Sequence, residues 1–158
     1  MKEAKRKLEE RIRRLERELS RELPAALETA RAHGDLRENA EYQAAKERQR
    51  YVQAELAQLH KRLSELSMVN FDKIPTDRAS YGSILKLFNL DTEEEVTYRL
   101  VMSEESDFKQ GLVSTASPIG RSLMGKVPGD EVVIRTPGGE KNYEVLELET
   151  IHDRDETD

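Results

Sequence analysis

Two long stretches of chain carry apolar stripes at helical spacing with a glycine bend between them, and this pattern restricts the first 69 residues to a helical hairpin. Leu8, Ile12, Leu15, Leu19, Leu23, Leu27 and Ala30 recur in steps of three or four and draw one face down a helix. Tyr42, Ala45, Gln49, Val52, Leu56, Leu59, Leu63 and Leu66 alternate strictly between three and four, the spacing of a coiled coil. At 1.5 Å per residue, residues 8–33 would span roughly 39 Å and residues 40–68 roughly 43 Å, so the two match as an antiparallel pair bent at Gly34. The repeated step of four through Leu19, Leu23 and Leu27 departs from the heptad. Pro24 lacks the amide that would bond the Ser20 carbonyl, so a kink is expected near it.

The periodicity stops after Val69, and residues 70–78 read as a Pro-containing polar linker. Short runs rich in Val, Ile, Leu and Tyr follow at 81–88, 95–101, 111–115, 131–136 and 142–151, several alternating between two faces. They predict a small sheet in a globular β domain over 79–151. Thr136-Pro137-Gly138-Gly139-Glu140 is a hairpin turn by composition, and Ser117-Pro118 opens a short helix that runs to Leu123 and stops at Gly125. Residues 152–158 hold four acids and one Arg, an acidic tail expected to be disordered.

Charge separates the two halves. The whole chain has 26 Lys/Arg and 32 Asp/Glu; residues 1–69 hold 16 and 13 of these, leaving a net +3 on the helical part and −9 on the remainder. A dedicated DNA-binding protein would want a basic face on the globular body, because phosphate neutralisation supplies most non-specific affinity. Recognition of a protein partner fits this distribution better, with the basic residues of the rod free to meet phosphates locally. The chain has no cysteine and only His33, His60 and His152, widely scattered, so thiolate and His-cage metal sites are excluded and any metal would be a hard cation held by oxygens. No apolar run approaches the ~18 residues of a membrane span and no leader pattern stands at the start, so the expected location is the cytoplasm, away from membranes.

Asp35, Glu38 and Glu41 stand at the bend, more acid than a simple helical turn needs. One reading is a capping box, with Asp35 as N-cap and Glu38 reaching back to its amide; this leaves Glu41 only weak surface pairing. The other reading is that Asp35 and Glu38, three residues apart, present oxygens to a divalent ion. Two carboxylates suit Mg²⁺, which takes one or two from a protein, and the remaining ligands would come from a larger partner. Asn39 would orient a tip acid or satisfy the backbone of the bend, the latter being favoured, and Tyr42 begins the stripe and packs at the neck.

Gly34-Asp35-Leu36-Arg37-Glu38-Asn39-Ala40-Glu41-Tyr42, Ala44-Ala45-Lys46-Glu47, Asn89-Leu90-Asp91, Ser106-Asp107-Phe108-Lys109, Ser117-Pro118-Ile119 and Thr136-Pro137-Gly138-Gly139 together resemble the GreA/GreB family of bacterial transcript cleavage factors. The likeness runs from about residue 8 to residue 151, and its nine-residue tip with several colinear matches is highly specific. It implies an α+β protein: an N-terminal antiparallel coiled-coil hairpin and a small C-terminal immunophilin-like antiparallel β domain with one short helix. It further implies that the hairpin enters the secondary channel of RNA polymerase, where Asp35 and Glu38 complete a Mg²⁺ site shared with the polymerase and stimulate cleavage of the 3′ end of backtracked RNA. The chain would then be no enzyme by itself, would hold no metal tightly alone, and would act as a monomer. Arg31, Arg37, Lys46, Arg48 and Arg50 would form the RNA-contacting basic patch, against the alternative of a solvated helix face. Ser117, Pro118 and Ile119 would dock on the polymerase, although Ala116 and Gly120 depart from the family pattern of a polar residue and Ala. Competing readings are a family member that occupies the channel and inhibits, a peptidyl-prolyl isomerase on a coiled-coil stalk, and a plain coiled-coil scaffold that dimerises through its stripes.

Overall fold

The computed structural model describes residues 1–34 and 39–154. The chain divides into two compact units, one formed by Lys5–Val69 and the other by Met1–Ala4 together with the chain from Asn70 onward. The architecture is α+β, with long helices in the first part of the chain and a five-stranded sheet in the second.

In the helical unit, α1 (Lys2–Arg17) from Lys5 onward and α2 (Leu23–Arg31) form the first arm and α3 (Ala40–Ser67) the returning arm. Ile12, Leu15, Leu23, Val52 and Leu56 make its buried seam, with Leu19, Leu59 and Leu63 packed against it, so both stripes meet inside one chain. Full burial of each such side chain contributes about 1.5–3 kcal/mol, which holds together helices whose outer faces are mostly charged. Just before Pro24, where a kink is expected, the helix widens into a π turn over Glu18–Glu22, closed by the Leu23 amide donating to the Glu18 carbonyl five residues back. Pro24 then stands in the first turn of α2, where it disrupts least. The π turn accounts for the repeated step of four, because a turn of i→i+5 bonds takes up more than 3.6 residues.

The second unit is a sheet of order β3-β2-β1-β5-β4, with β1 Ile84–Asn89, β2 Glu95–Val101, β3 Leu112–Ser114, β4 Glu131–Thr136 and β5 Gly139–Glu149. β1 and β2 form a hairpin whose turn is built by the Asn89 side chain, which accepts from the amides of Asp91 at 2.8 Å and Thr92 at 3.1 Å. β4 and β5 pair antiparallel through Thr136 and Gly139, the turn expected from Pro137-Gly138. The sheet departs from the all-antiparallel expectation at one edge, where β3 runs parallel to β2. Between them the chain passes through two 3₁₀ turns, Ser103–Glu105 and Phe108–Gln110, instead of a tight hairpin, and so returns in the same direction. β1 alternates half-buried and buried residues, and Leu85, Leu87, Leu100, Val132, Ile134 and Val145 build the core, closed by Leu123 of α4 (Pro118–Leu123).

Residues 70–78, read as a linker, belong to this unit and carry a 3₁₀ helix at Phe71–Lys73. The first part of the expected acidic tail is also structured: Ile151–Asp153 form a 3₁₀ turn, and Asp153 accepts from the Thr150 amide at 2.7 Å. Among the described residues, no helix is long and apolar enough to cross a membrane.

Candidate functional site

The bend is built from its neck. Ala30 is buried at the end of α2, and its carbonyl accepts from the His33 amide at 3.1 Å and from Asn39 Nδ2 at 2.6 Å. Asn39 is at the same time the N-cap of α3, its Oδ1 accepting from the Tyr42 amide at 3.1 Å. One side chain therefore caps the returning helix with its oxygen and clasps the outgoing helix with its nitrogen. Gly34 leaves the outgoing arm at φ 123°, a conformation that favours glycine. Arg31 lies over the Tyr42 ring, 5.9 Å from its centroid, so Tyr42 does sit at the neck. Asp35, Arg37 and Glu38 lie outside the described residues. The N-cap of α3 is Asn39, and the capping box read for Asp35 and Glu38 falls outside the described residues. Glu41 is an exposed acid in the first turn of α3, where the helix dipole favours it. Among the described residues, no group of three or more His, Asp or Glu gathers as a metal cage.

The basic residues along α3 do not share a face. Lys46 and Arg50 are one helical turn apart, whereas Arg48 projects on the order of 160–200° away from them around the axis. Arg48 is engaged: its Nε and Nη2 donate to Glu18 at 2.6 and 2.9 Å, and its guanidinium lies 5.3 Å from the Tyr51 ring centroid. That bond holds the Glu18 carboxyl below its ordinary value and pushes the Arg48 guanidinium up. One heptad away on each arm, Arg11 grips Glu55 through the same fork geometry at 3.1 to 3.3 Å, so the two pairs form an ionic ladder across the arms. The family resemblance groups Arg48 with Lys46 and Arg50, and the i, i+2 spacing is the signal in the sequence that Arg48 diverges from the other two.

In the sheet unit, Ser117 Oγ caps α4 by accepting from the Gly120 amide at 3.0 Å and donates to the Ser114 carbonyl at 2.7 Å. Gly120 is fixed by close approach: a Cβ there would stand 1.8 Å from the Ser114 carbonyl oxygen. Ser117, Pro118 and Ile119 line one wall of an apolar groove of about 370 Å³, with Phe108, Leu112 and Pro137 among the others. Ile119 is half-buried and packs partly on the core, while Phe108 is 63% exposed and rests against Tyr98 at 6.0 Å. Burial, with the nearby Tyr143, pushes the Tyr98 hydroxyl up.

Both parts of the chain match family models: residues 1–67 the model of the N-terminal region of the transcription elongation factors, and residues 74–150 that of the GreA/GreB C-terminal region. The chain belongs to the GreA/GreB family. Transcription elongation factor GreA of Desulfotalea psychrophila is 46% identical over 144 residues, covering 91% of this chain and 89% of that one. GreA of Phenylobacterium zucineum is 40% identical over 144 residues, covering 91% and 92%. Among solved structures, GreA factor homolog 1 of Thermus thermophilus is similar with 22% identity and a TM-score of 0.43, covering 92% and 94%. Membership in the GreA/GreB family disfavours the isomerase and scaffold readings, and the two stripes pack intramolecularly rather than awaiting a second chain.

Proposed function

We propose that this chain is a transcript cleavage factor that acts with bacterial RNA polymerase in the cytoplasm. The observation that carries the proposal is the tip: Asp35 and Glu38 fall between Gly34 and Asn39 in the segment whose base Asn39 clasps to Ala30, in a chain of the GreA/GreB family. Carboxylates spaced in this way and presented from a narrow hairpin fit a Mg²⁺ held jointly with the polymerase, since they supply the one or two protein oxygens that ion accepts. When bound there, the ion supplies the activation of water needed for phosphodiester hydrolysis. The residues of this chain do the positioning. Asn39 holds the base of the tip, the seam of Leu15, Leu23, Val52 and Leu56 keeps the two arms together, and the half-buried Lys46 and exposed Arg50, one turn apart, offer charge to the displaced RNA.

The protein acts as a monomer, holds no Mg²⁺ tightly by itself and hydrolyses no RNA alone, because two carboxylates leave most of the coordination shell to water. Ser117, Pro118 and Ile119, with Phe108 across the groove, are the docking surface on the polymerase. Substitutions there raise the concentration needed for half-maximal cleavage and leave the saturated rate unchanged. The deciding experiment adds the protein to a stalled elongation complex carrying labelled RNA and looks for released 3′ fragments. Fragment release that depends on Asp35 and Glu38 supports the reading; channel occupancy that slows transcription with no release would make this an inhibitory member instead.

A further inference from the structure

The two flanks of α3 differ chemically, and one of them carries an exposed aromatic that nothing in the cleavage reaction uses. Tyr51 is 58% exposed although its neighbour Val52 is fully buried in the seam. Arg48 lies against the ring, and Arg48 is itself fixed by the two-pronged bond to Glu18. The ring is thus stiffened on one side and open to solvent on the other. Such an arrangement is made for contact, because a tyrosine held in place loses little conformational freedom when a partner covers it.

The charge around Tyr51 indicates what that partner is. Arg11, Glu18, Arg48 and Glu55 pair off across the arms, so this flank has no net charge from its ladder. The Nε and Nη2 edge of Arg48 is taken by Glu18, whose carboxylate neutralises the guanidinium and weakens its pull on a phosphate. Single-strand binding surfaces combine aromatics with a positive track for the backbone. On α3 that track is on the opposite flank, where Lys46 and Arg50 stand one turn apart with no ion pair among the described residues. A neutralised, pre-ordered Tyr–Arg pair instead matches the residues that dominate protein–protein contacts.

We infer that Tyr51, steadied by Arg48 and Glu18, anchors this flank of the hairpin on a protein surface, the wall of the polymerase channel, while RNA is confined to the Lys46 and Arg50 flank. The inference rests on the proposed function and adds a side to it: the hairpin enters its partner in one rotational setting.

The test measures binding of the full chain to core RNA polymerase free of nucleic acid, then to a backtracked elongation complex. Tyr51→Ala should weaken both by about tenfold, the scale of a central interface tyrosine, and Tyr51→Phe should stay within about twofold of the unsubstituted protein. Circular dichroism should show unchanged melting, since the ring lies outside the seam. If Tyr51→Ala binds the free polymerase normally and loses affinity only on the backtracked complex, the ring meets RNA and the inference is overturned; affinity unchanged from the unsubstituted protein on both also overturns it. If the unsubstituted protein does not bind polymerase at all, the functional reading itself fails, an outcome separate from failure at Tyr51 alone.

Discussion

Asn39→Ala should loosen the tip without touching either acid. The side chain makes two bonds with distinct consequences: Oδ1 caps α3 through the Tyr42 amide, and Nδ2 reaches the buried carbonyl of Ala30 on the opposite arm. Removing an N-cap costs about 0.5–2 kcal/mol, and removing an ordinary hydrogen bond a further 0.5–1.5 kcal/mol. A total of about 2 kcal/mol follows, which for a unit of this size lowers the midpoint of thermal unfolding by roughly 8–16 °C. Asn39→Ser separates the parts, since serine keeps the cap and is too short to bridge the arms, so it should lose about half as much. Calorimetry of the full chain reads the stability, and the labelled-RNA assay reads cleavage at saturating protein. Both variants should cleave more slowly, because the clasp fixes the base of the segment that bears Asp35 and Glu38. The reasoning is refuted if Asn39→Ser is as stable and as active as the unsubstituted protein while Asn39→Ala is not, for then only the cap matters and the clasp does nothing.

Asp35→Ala and Glu38→Ala should each abolish most cleavage stimulation and leave polymerase affinity within a few-fold, as read by competition binding beside the cleavage assay. Gly120→Ala should destabilise the sheet unit by about 1–3 kcal/mol, the usual cost of overpacking, since the added carbon meets a backbone oxygen that has little room to retreat; an unchanged melting midpoint would contradict this. The lowered Glu18 pKa sets a sign: the folded hairpin binds that proton less readily than the unfolded chain, so the contribution is complete above the unfolded carboxylate range and is lost as pH falls through the folded value. Glu18→Gln should therefore flatten the acid limb of the stability profile of the hairpin, measured by chemical denaturation from pH 3 to 7.

The helical hairpin was legible because its signal is redundant: fifteen stripe positions agree, and Ile12, Leu15, Val52 and Leu56 are buried as their spacing demands. The strands were legible for the same reason, β2 and β4 falling on the residues expected. Single-residue decisions were less so. Asn39 reads in the sequence as a residue that satisfies the backbone of the bend, but that it caps α3 through the Tyr42 amide and reaches the Ala30 carbonyl nine residues back is visible only in the folded hairpin. The parallel pairing of β3 is set by the path of the preceding 3₁₀ turns, a non-local matter that three strand residues cannot encode. The family motif drew Arg48 into a basic patch, while its pairing with Glu18 depends on an alignment of two arms thirty residues apart.

The π turn at Glu18–Glu22 has a consequence for how the hairpin measures distance. A turn that holds an extra residue lengthens the sequence of one arm without lengthening the arm by the same amount, so residue number and height along the rod part company at that point. Below it Arg11 pairs with Glu55, at its first residue Glu18 pairs with Arg48 one heptad on, and beyond it the clasp joins Ala30 to Asn39. Loss of one residue inside the wide turn can be taken up by tightening it to an α turn, whereas the same loss elsewhere on the first arm would turn everything beyond it by about 100° and move Ala30 away from the clasp. The wide turn is thus a slip joint, a place on that arm where the chain can lose a residue and still keep the ladder and the clasp in register.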